Sequence, residues 1–390
     1  MHGITLTKAP ADWEILQQEN GKATVALKGN FQVHPAAIEV GVERVTPVVR
    51  VMSEDDNMTV IPWTNADHFT CNEKFQGEFE VTLEIPAGGP YRIDTSLETK
   101  STVPDLTWLY RGDCVLHLGV GNLFIIAGQS NSAGYSRDFC IDPPSMDVHL
   151  YRNRSKWDIA SHPMNESTFA RSLANEEMGV PGVSPYLAFG KTYGKMTGMP
   201  VGLIQTSLGG SPMERWNPKD GDLYLNMVDK IHQTGGRYAG VLWYQGCSDT
   251  NPGPAEKYLE HFREYVEATR KELGYEIPFF TMQLNRQING INDECWGMVR
   301  DAQARAAKEI PGVSVLTTSN LSLCDGIHNT AQANVALGEK LAKQCAHVLN
   351  GKEEYQPPEL VKVERADEAE RKSFQLEGSG IWLKLTCDHV

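Results

Sequence analysis

The chain has 390 residues, 41% of them apolar and 22% charged, with a formal net charge of -14 at pH 7. That acidic balance excludes a general nucleic-acid binder, which needs a basic face against phosphate, and tilts the expected substrate away from polyanions. No apolar run approaches the roughly 18–20 residues of a membrane span, so a membrane is not an expected partner.

Single cores stop growing near roughly 250–300 residues, so two domains or more are expected. The cysteines at 71, 114, 140, 247, 295, 324, 345 and 387 form no Cys-x-x-Cys pair. That argues against a zinc ribbon or redox motif and for reduced, buried thiols. Met1–Thr5 lacks a charged segment followed by an apolar core, so no signal peptide is visible. Cytoplasm is the resulting expectation, although a processed secreted chain would read the same.

Residues 1–118 read as all-β. The runs Ala23–Leu27, Ala37–Val40, Thr46–Val51, Phe79–Ile85 and Tyr91–Ile93 are short, rich in β-branched residues and separated by turn signals such as Asn20-Gly21 and Ala87-Gly88-Gly89-Pro90. Phe79–Ile85 alternates apolar and polar, which suits a sheet with one wet face. The expectation is a small β-sandwich, either a structural flank or a carbohydrate-binding module.

From residue 120 the rhythm becomes strand–helix alternation, with strands expected at 122–127, 201–206, 239–244, 278–283 and 313–318. Helices are expected at Ser184–Met196, Leu223–Thr234, 254–273, Trp296–Ile310 and Thr330–Leu349. The 254–273 segment spaces Tyr258, Phe262, Tyr265, Val266 and Thr269 as a core-facing stripe. Such alternation implies a mostly parallel sheet with right-handed crossovers. Residues 135–183 break the rhythm; they are polar and long, and structureless stretches of that length are usually lids or binding loops. The segment is expected to shape substrate access, against the plainer alternative of a surface excursion. In the tail, Pro357-Pro358-Glu359 reads as a linker, and Leu360–Val363, Ser373–Leu376 and Ile381–Leu385 as strands. The stop at Val390 suggests a longer natural chain or a strand that completes an earlier sheet.

Four polar or Gly-rich turns stand just after the predicted strands: Gly128-Gln129-Ser130-Asn131, Gly209-Gly210-Ser211, Tyr244-Gln245-Gly246-Cys247 and, further on, Asp325-Gly326-Ile327-His328. Active sites of open α/β sheets collect there. A serine where a buried strand breaks into a turn is either a nucleophile or a helix cap. A serine nucleophile needs a base to take its proton. Among the histidines only His328 has an aspartate three residues before it in a Gly-containing turn ahead of a helix, a spacing that projects both side chains from one loop end. Taken alone, that loop reads as structural. No cofactor or metal is implied: there is no His-Glu-x-x-His and no phosphate loop, and Gly119-Val120-Gly121 precedes its strand, with Phe124 where a third glycine would stand.

In this order the four segments resemble the SGNH hydrolases, and more narrowly the sialate O-acetylesterase-like branch of carbohydrate esterases. The resemblance covers roughly residues 120–350 and rests on Gly128–Asn131, on Gly209-Gly210 with Glu214 and Trp216, on Trp243–Gly246, and on Asp325 with His328. It implies an SGNH-hydrolase-like three-layer α/β/α fold with a mostly parallel sheet, preceded by a small β-sandwich and followed by a short β segment. The domains would be 1–118, 119–352 with the insertion 135–183, and 353–390. It implies a catalytic triad of Ser130, His328 and Asp325, and an oxyanion hole of the Ser130 and Gly210 (or Gly209) backbone N–H groups with the Gln245 side-chain amide. Gln129, Asn131, Glu214, Arg215 and Trp216 form the candidate substrate-binding set, with Gln129 and Asn131 orienting the nucleophile turn. Two departures stand out: Ser132 where the family usually has Met, and Cys247 where it often has Glu; Cys247 reads as an inert pocket wall.

The expected reaction is metal-independent removal of acetyl groups from sugar hydroxyls, on sialic acid or on hemicellulose oligosaccharides. Two rivals remain at this level. A non-catalytic carbohydrate-binding protein would bind sugar without turnover. A lipase or thioesterase of the broader SGNH group would need an apolar acyl channel and would prefer long acyl chains. The oligomeric state is not legible.

Overall fold

The computed structural model describes residues 2–39, 41–102, 105–351, 359–373 and 380–388. Met1–Ala342 forms one compact unit and Lys343–Val390 a second.

The N-terminal third is antiparallel apart from Ile15–Gln17, which runs parallel to Gly119–Gly121. Gly3–Lys8, Lys22–Gln32, Gln76–Pro86 and His68–Phe69 form one sheet, and Val42–Ser53 pairs with Thr59–Asn65 and Gly88–Thr102 in another. Lys22–Gln32 buries every second residue, as the two-residue period of a strand requires. Val25, Leu27, Val81 and Leu83 from one sheet and Val49, Val51, Ile93 and Leu97 from the other enter a single apolar core. The run Ala37–Val40 is not a strand as expected: Pro35–Glu39 is a short helix, with Pro at its first position, where the ring suits the helical φ. Val40 lies outside the described residues.

The parallel sheet contains β1 (Asp105–Gly128), β2 (Val148–Tyr151), β3 (Trp157–Ile159), β4 (Val201–Gln205), β5 (Gly240–Tyr244), β6 (Phe279–Met282) and β7 (Val313–Leu316). Their order is β3-β2-β4-β1-β5-β6-β7, parallel throughout except for β3 at the edge. β1 also pairs with Gly88–Thr102 through its first part, so one strand belongs to both sheets. β2 and β3 lie inside the segment expected to be structureless. All four residues of β2 are buried, but His149 and Tyr151 interrupt the apolar run, which hid the strand from the pattern.

Helices α1 (Tyr186–Thr197), α2 (Asp222–Gln233), α3 (Pro254–Leu273), α4 (Asp293–Glu309) and α5 (Ala331–Asn350) cover the sheet. Leu123, Ile125 and Ala127 of β1 share a core with Met227, Phe262, Tyr265 and Val299 of α2, α3 and α4. Phe124 points the other way and packs edge-on against Phe189 and Tyr193 of α1, at 5.0 and 5.2 Å. Successive β1 residues thus feed opposite faces, and helices lie on both, giving three layers. After β1 the chain runs to β2 and the edge strand β3 on one side and returns to β4 beside β1, then builds outward through β5, β6 and β7 on the other. The order therefore reverses at β1, and the crevice at such a switch point is where ligands bind.

In the second unit, Glu359–Arg365 pairs antiparallel with Leu383–Asp388 around the helix Glu368–Ser373. The expected strand Ser373–Leu376 is not found where it can be seen, since Ser373 closes that helix; Phe374–Leu376, like Pro357-Pro358, lie outside the described residues.

Candidate active site

At the switch point the C-terminal ends of three adjacent strands meet. Gly128 ends β1 with φ +131°, and a Cβ there would stand 2.2 Å from the Tyr244 carbonyl oxygen of β5. Only glycine allows both the backbone angle and the approach. The chain then turns into the single helical turn Ser130–Ala133. The Gln129 side-chain oxygen accepts from the Gly246 and Ser248 N–H groups at 2.9 and 3.2 Å, tying the Ser130 turn to the one after β5. Asn131 is buried; its Nδ2 donates to the Ile327 carbonyl at 3.1 Å, and its Oδ1 accepts from the Asn329 N–H at 3.0 Å. One side chain thus clamps the peptide groups on both sides of His328.

That clamp matters because the Asp325–His328 loop follows β7, at the far edge of the sheet, and must reach back to β1. Asn285, just past β6, adds a second hold through the Leu321 carbonyl and the Asn329 side chain. The Asp325 carboxylate accepts from the Ile327 and His328 backbone N–H groups at 2.9 and 2.7 Å and meets His328 Nδ1 at 2.7 Å. Burial pushes the Asp325 pKa up, but these backbone N–H groups and the imidazole outweigh it and hold the pKa below the usual carboxylate value. A carboxylate only accepts, so Nδ1 carries the ring proton and Nε2 is left with a lone pair. Nε2 lies 2.9 Å from Ser130 Oγ. The structure therefore joins Ser130, His328 and Asp325 in one hydrogen-bonded chain.

These groups open onto a cleft of about 790 Å³, lined by Ser130, His328, Gly209, Gly210, Arg215 and Cys247, among others. Gly209 N–H donates to the Glu177 carboxylate at 2.8 Å, which leaves Gly210 as the free backbone donor of that turn. Gln245 does not join them. Its two amide hydrogens go to the Ser211 carbonyl, at 3.0 Å, and to the Asp249 carboxylate, so no donor remains for an oxyanion. The expectation for Gln245 is corrected on that stoichiometry.

The candidate binding set divides as well. Gln129 lines the cleft wall, whereas Asn131 is engaged at both ends and does not face substrate. Glu214 lies outside the cleft, in a depression with Pro254 and His261. Trp216 is not a sugar platform: it is fully buried, edge-on to Trp243 at 5.1 Å and Tyr265 at 5.8 Å. Arg215 remains at the cleft, its Nε and Nη2 held by Asp222 and the Ala174 carbonyl. Burial pushes the Cys247 thiol up to about 12, so it stays protonated and a poor nucleophile. Ser132, the first departure, bonds the Ala127 carbonyl at 3.1 Å and the buried Tyr186 hydroxyl at 2.6 Å, a second anchor for the Ser130 turn. Among the described residues, no group of three or more His, Cys, Asp or Glu is placed to hold a metal ion.

Two cleft residues carried no sequence signal. Tyr135 places its ring 5.5 Å from the His328 imidazole, tilted by 30°, and donates its hydroxyl to Glu177 at 2.5 Å. Both come from the 135–183 segment, which buried polar contacts pin to the turn after β4. Asn175 donates to the Ser207 carbonyl, and Asn165 to Glu177. The Lys230 ammonium of α2 donates to Asn153, Asn175 and the Gln205 carbonyl.

Burial strips water from that ammonium and pulls the Lys230 pKa down to about 7. An unfolded lysine titrates near ~10.4, so between these values the unfolded chain holds a proton that the native one lacks, and stability rises with pH across the window. Urea unfolding of wild type and Lys230→Met at pH 7, 8 and 9 should show wild type gaining on the variant by up to ~1.4 kcal/mol per pH unit. Parallel slopes would show that this lysine does not titrate there.

Residues 120–347 match the family model described as carbohydrate esterase, sialic acid-specific acetylesterase. A probable carbohydrate esterase of Arabidopsis thaliana is 29% identical over 246 residues, covering 57% of this chain and 88% of its own length. A solved Arabidopsis thaliana structure aligns with TM-score 0.51 at 24% identity, over 59% of this chain and 99% of that one. The structure of a carbohydrate acetylesterase from Xanthomonas citri aligns with TM-score 0.55 at 20% identity, over 93% of this chain and 79% of that one. At these identities the two structures speak for the fold.

Proposed function

We propose, because this chain belongs to the carbohydrate esterase family of sialic acid-specific acetylesterases, that it deacetylates sugars through an acyl-enzyme on Ser130. The observation that carries the reading is the chain from Ser130 Oγ through His328 to Asp325, at 2.9 and 2.7 Å, opening onto the cleft at the switch point. Ser130 Oγ attacks the acetyl carbonyl while His328 Nε2 takes its proton. The tetrahedral oxyanion takes hydrogen bonds from the Ser130 and Gly210 N–H groups. His328 then gives the proton to the departing sugar oxygen, leaving acetyl-Ser130. Water, deprotonated by His328, attacks this ester; Ser130 recovers the proton and acetate leaves. Asp325 keeps Nδ1 protonated throughout and stabilises the imidazolium.

For the sugar, we favour a neutral glycan such as a hemicellulose oligosaccharide over sialic acid. The cleft carries the carboxylates of Glu176 and Glu177 against one arginine, Arg215, whose charge Asp222 already offsets. Acetate release from O-acetylated sialic acid and from acetylated xylan and mannan oligosaccharides, measured side by side, tests both parts. A higher kcat/KM on the neutral glycans is expected. Release from sialic acid alone would overturn the substrate assignment, and no release from any of them by folded protein would overturn the activity.

A further inference from the structure

Glu177 belongs to none of the four segments around which the site is organised, yet its carboxylate bonds one of them, at Gly209. One oxygen accepts from the Tyr135 hydroxyl at 2.5 Å and the Gly179 N–H at 3.4 Å. The other accepts from the Gly209 N–H and Asn165 Nδ2, both at 2.8 Å. All of its acceptor sites are engaged, so none is left to take a proton from substrate. The packing is as tight as the bonding. A Cβ on Gly209 would stand 2.4 Å from the Tyr135 hydroxyl and 2.9 Å from the Glu177 carboxylate; one on Gly179 would stand 2.2 Å from the same hydroxyl. The Tyr135 ring also lies 5.5 Å from the His328 imidazole, tilted by 30°.

The turn that needs this support is Gly209-Gly210. Two successive glycines have the widest backbone freedom of any pair, and an oxyanion donor works only when it is held in place before the charge develops. Bonding the Gly209 N–H fixes the Leu208–Gly209 peptide plane and leaves only the Gly209 dihedrals between that plane and the Gly210 N–H. We propose that Glu177 is a positioning residue for the ester-cleaving step, holding the Gly210 donor and the Tyr135 ring in register with Ser130 and His328. This rests on the reading of Ser130 as nucleophile. It also gives the 135–183 segment a role as a fixed wall of the site rather than a moving lid.

The test is steady-state acetate release by wild type, Glu177→Ala, Glu177→Gln, Tyr135→Phe and Ser130→Ala, with thermal melting of each. Glu177→Ala should lose kcat on the order of 10²-fold, with KM within about threefold, because the lost contact acts on the transition state and not on substrate binding. Glu177→Gln keeps one oxygen for Gly209 and Asn165 and turns its amide to the Tyr135 oxygen, giving up only the long 3.4 Å bond from the Gly179 N–H, so it should restore most of kcat. Tyr135→Phe should fall between Ala and Gln. A change confined to KM, or wild-type kcat in Glu177→Ala, would overturn the proposal. So would a Gln variant as slow as Ala at unchanged melting temperature, which would assign the effect to charge. If Glu177→Ala fails to fold, Gln and Tyr135→Phe decide by the same criteria. Activity retained in Ser130→Ala would instead sink the underlying mechanism.

Discussion

On the proposed mechanism, replacing Ser130 with alanine is expected to lower kcat for acetate release by a factor on the order of 10⁵–10⁶, because removing the proposed nucleophile disables the whole hydrogen-bonded unit. The protein should stay folded. Ser130 contributes one hydroxyl in contact with His328, and such a bond adds only about 1 kcal/mol to stability. The surrounding turn keeps its other anchors, from Gln129 to Gly246 and from Asn131 to the His328 loop. Some catalysis over water should persist, on the order of 10³-fold, from backbone donors and binding alone. An intact circular-dichroism spectrum with acetate release above a few per cent of wild type would remove Ser130 from the mechanism. Loss of activity together with loss of fold would contradict the anchoring described above.

Trp216→Ala should act on the other axis. Trp216 is fully buried beside Trp243 and Tyr265, and its Nε1 donates to Ser211 Oγ at 3.3 Å. Truncating a buried tryptophan removes its transfer energy and leaves a cavity, together about 3–5 kcal/mol. The denaturant midpoint should fall accordingly, while KM on the remaining folded protein should change little. A sugar platform would behave in reverse, with KM raised and stability untouched. Unfolding curves and KM measured on one preparation separate the two, and a raised KM at unchanged stability would return Trp216 to the cleft.

These two residues also mark how far the sequence reaches. Both stand in recognisable segments after predicted strands, and nothing local distinguishes their fates. Ser130 faces the cleft because β1 ends at the switch point, with β4 and β5 on either side. Trp216 turns inward because aromatic partners arrive from β5 and α3. Gln245 is the same lesson in polar form. Its amide is claimed by Asp249, four residues on, and by the Ser211 carbonyl, 34 residues earlier in the chain, so only the folded turn shows that no hydrogen remains. Tyr135 and Glu177 carried no signal because their partners lie in three different turns.

The sequence by itself determined the strand–helix alternation, the parallel sheet and the candidates Ser130, Asp325 and His328. Those features depend on short-range physics: the two- and 3.6-residue periods of burial, glycine where φ turns positive, and an aspartate within a few residues of its histidine. Tertiary structure alone decided which side chains face the cleft, that β2 and β3 lie within the long polar segment, and that Glu177 bonds the Gly209-Gly210 turn. Such choices are made by groups 30 to 200 positions apart, brought together only when strand order closes the sheet. A polar side chain's direction is set by which partner satisfies it, and a partner supplied by another element leaves no mark in the neighbouring residues.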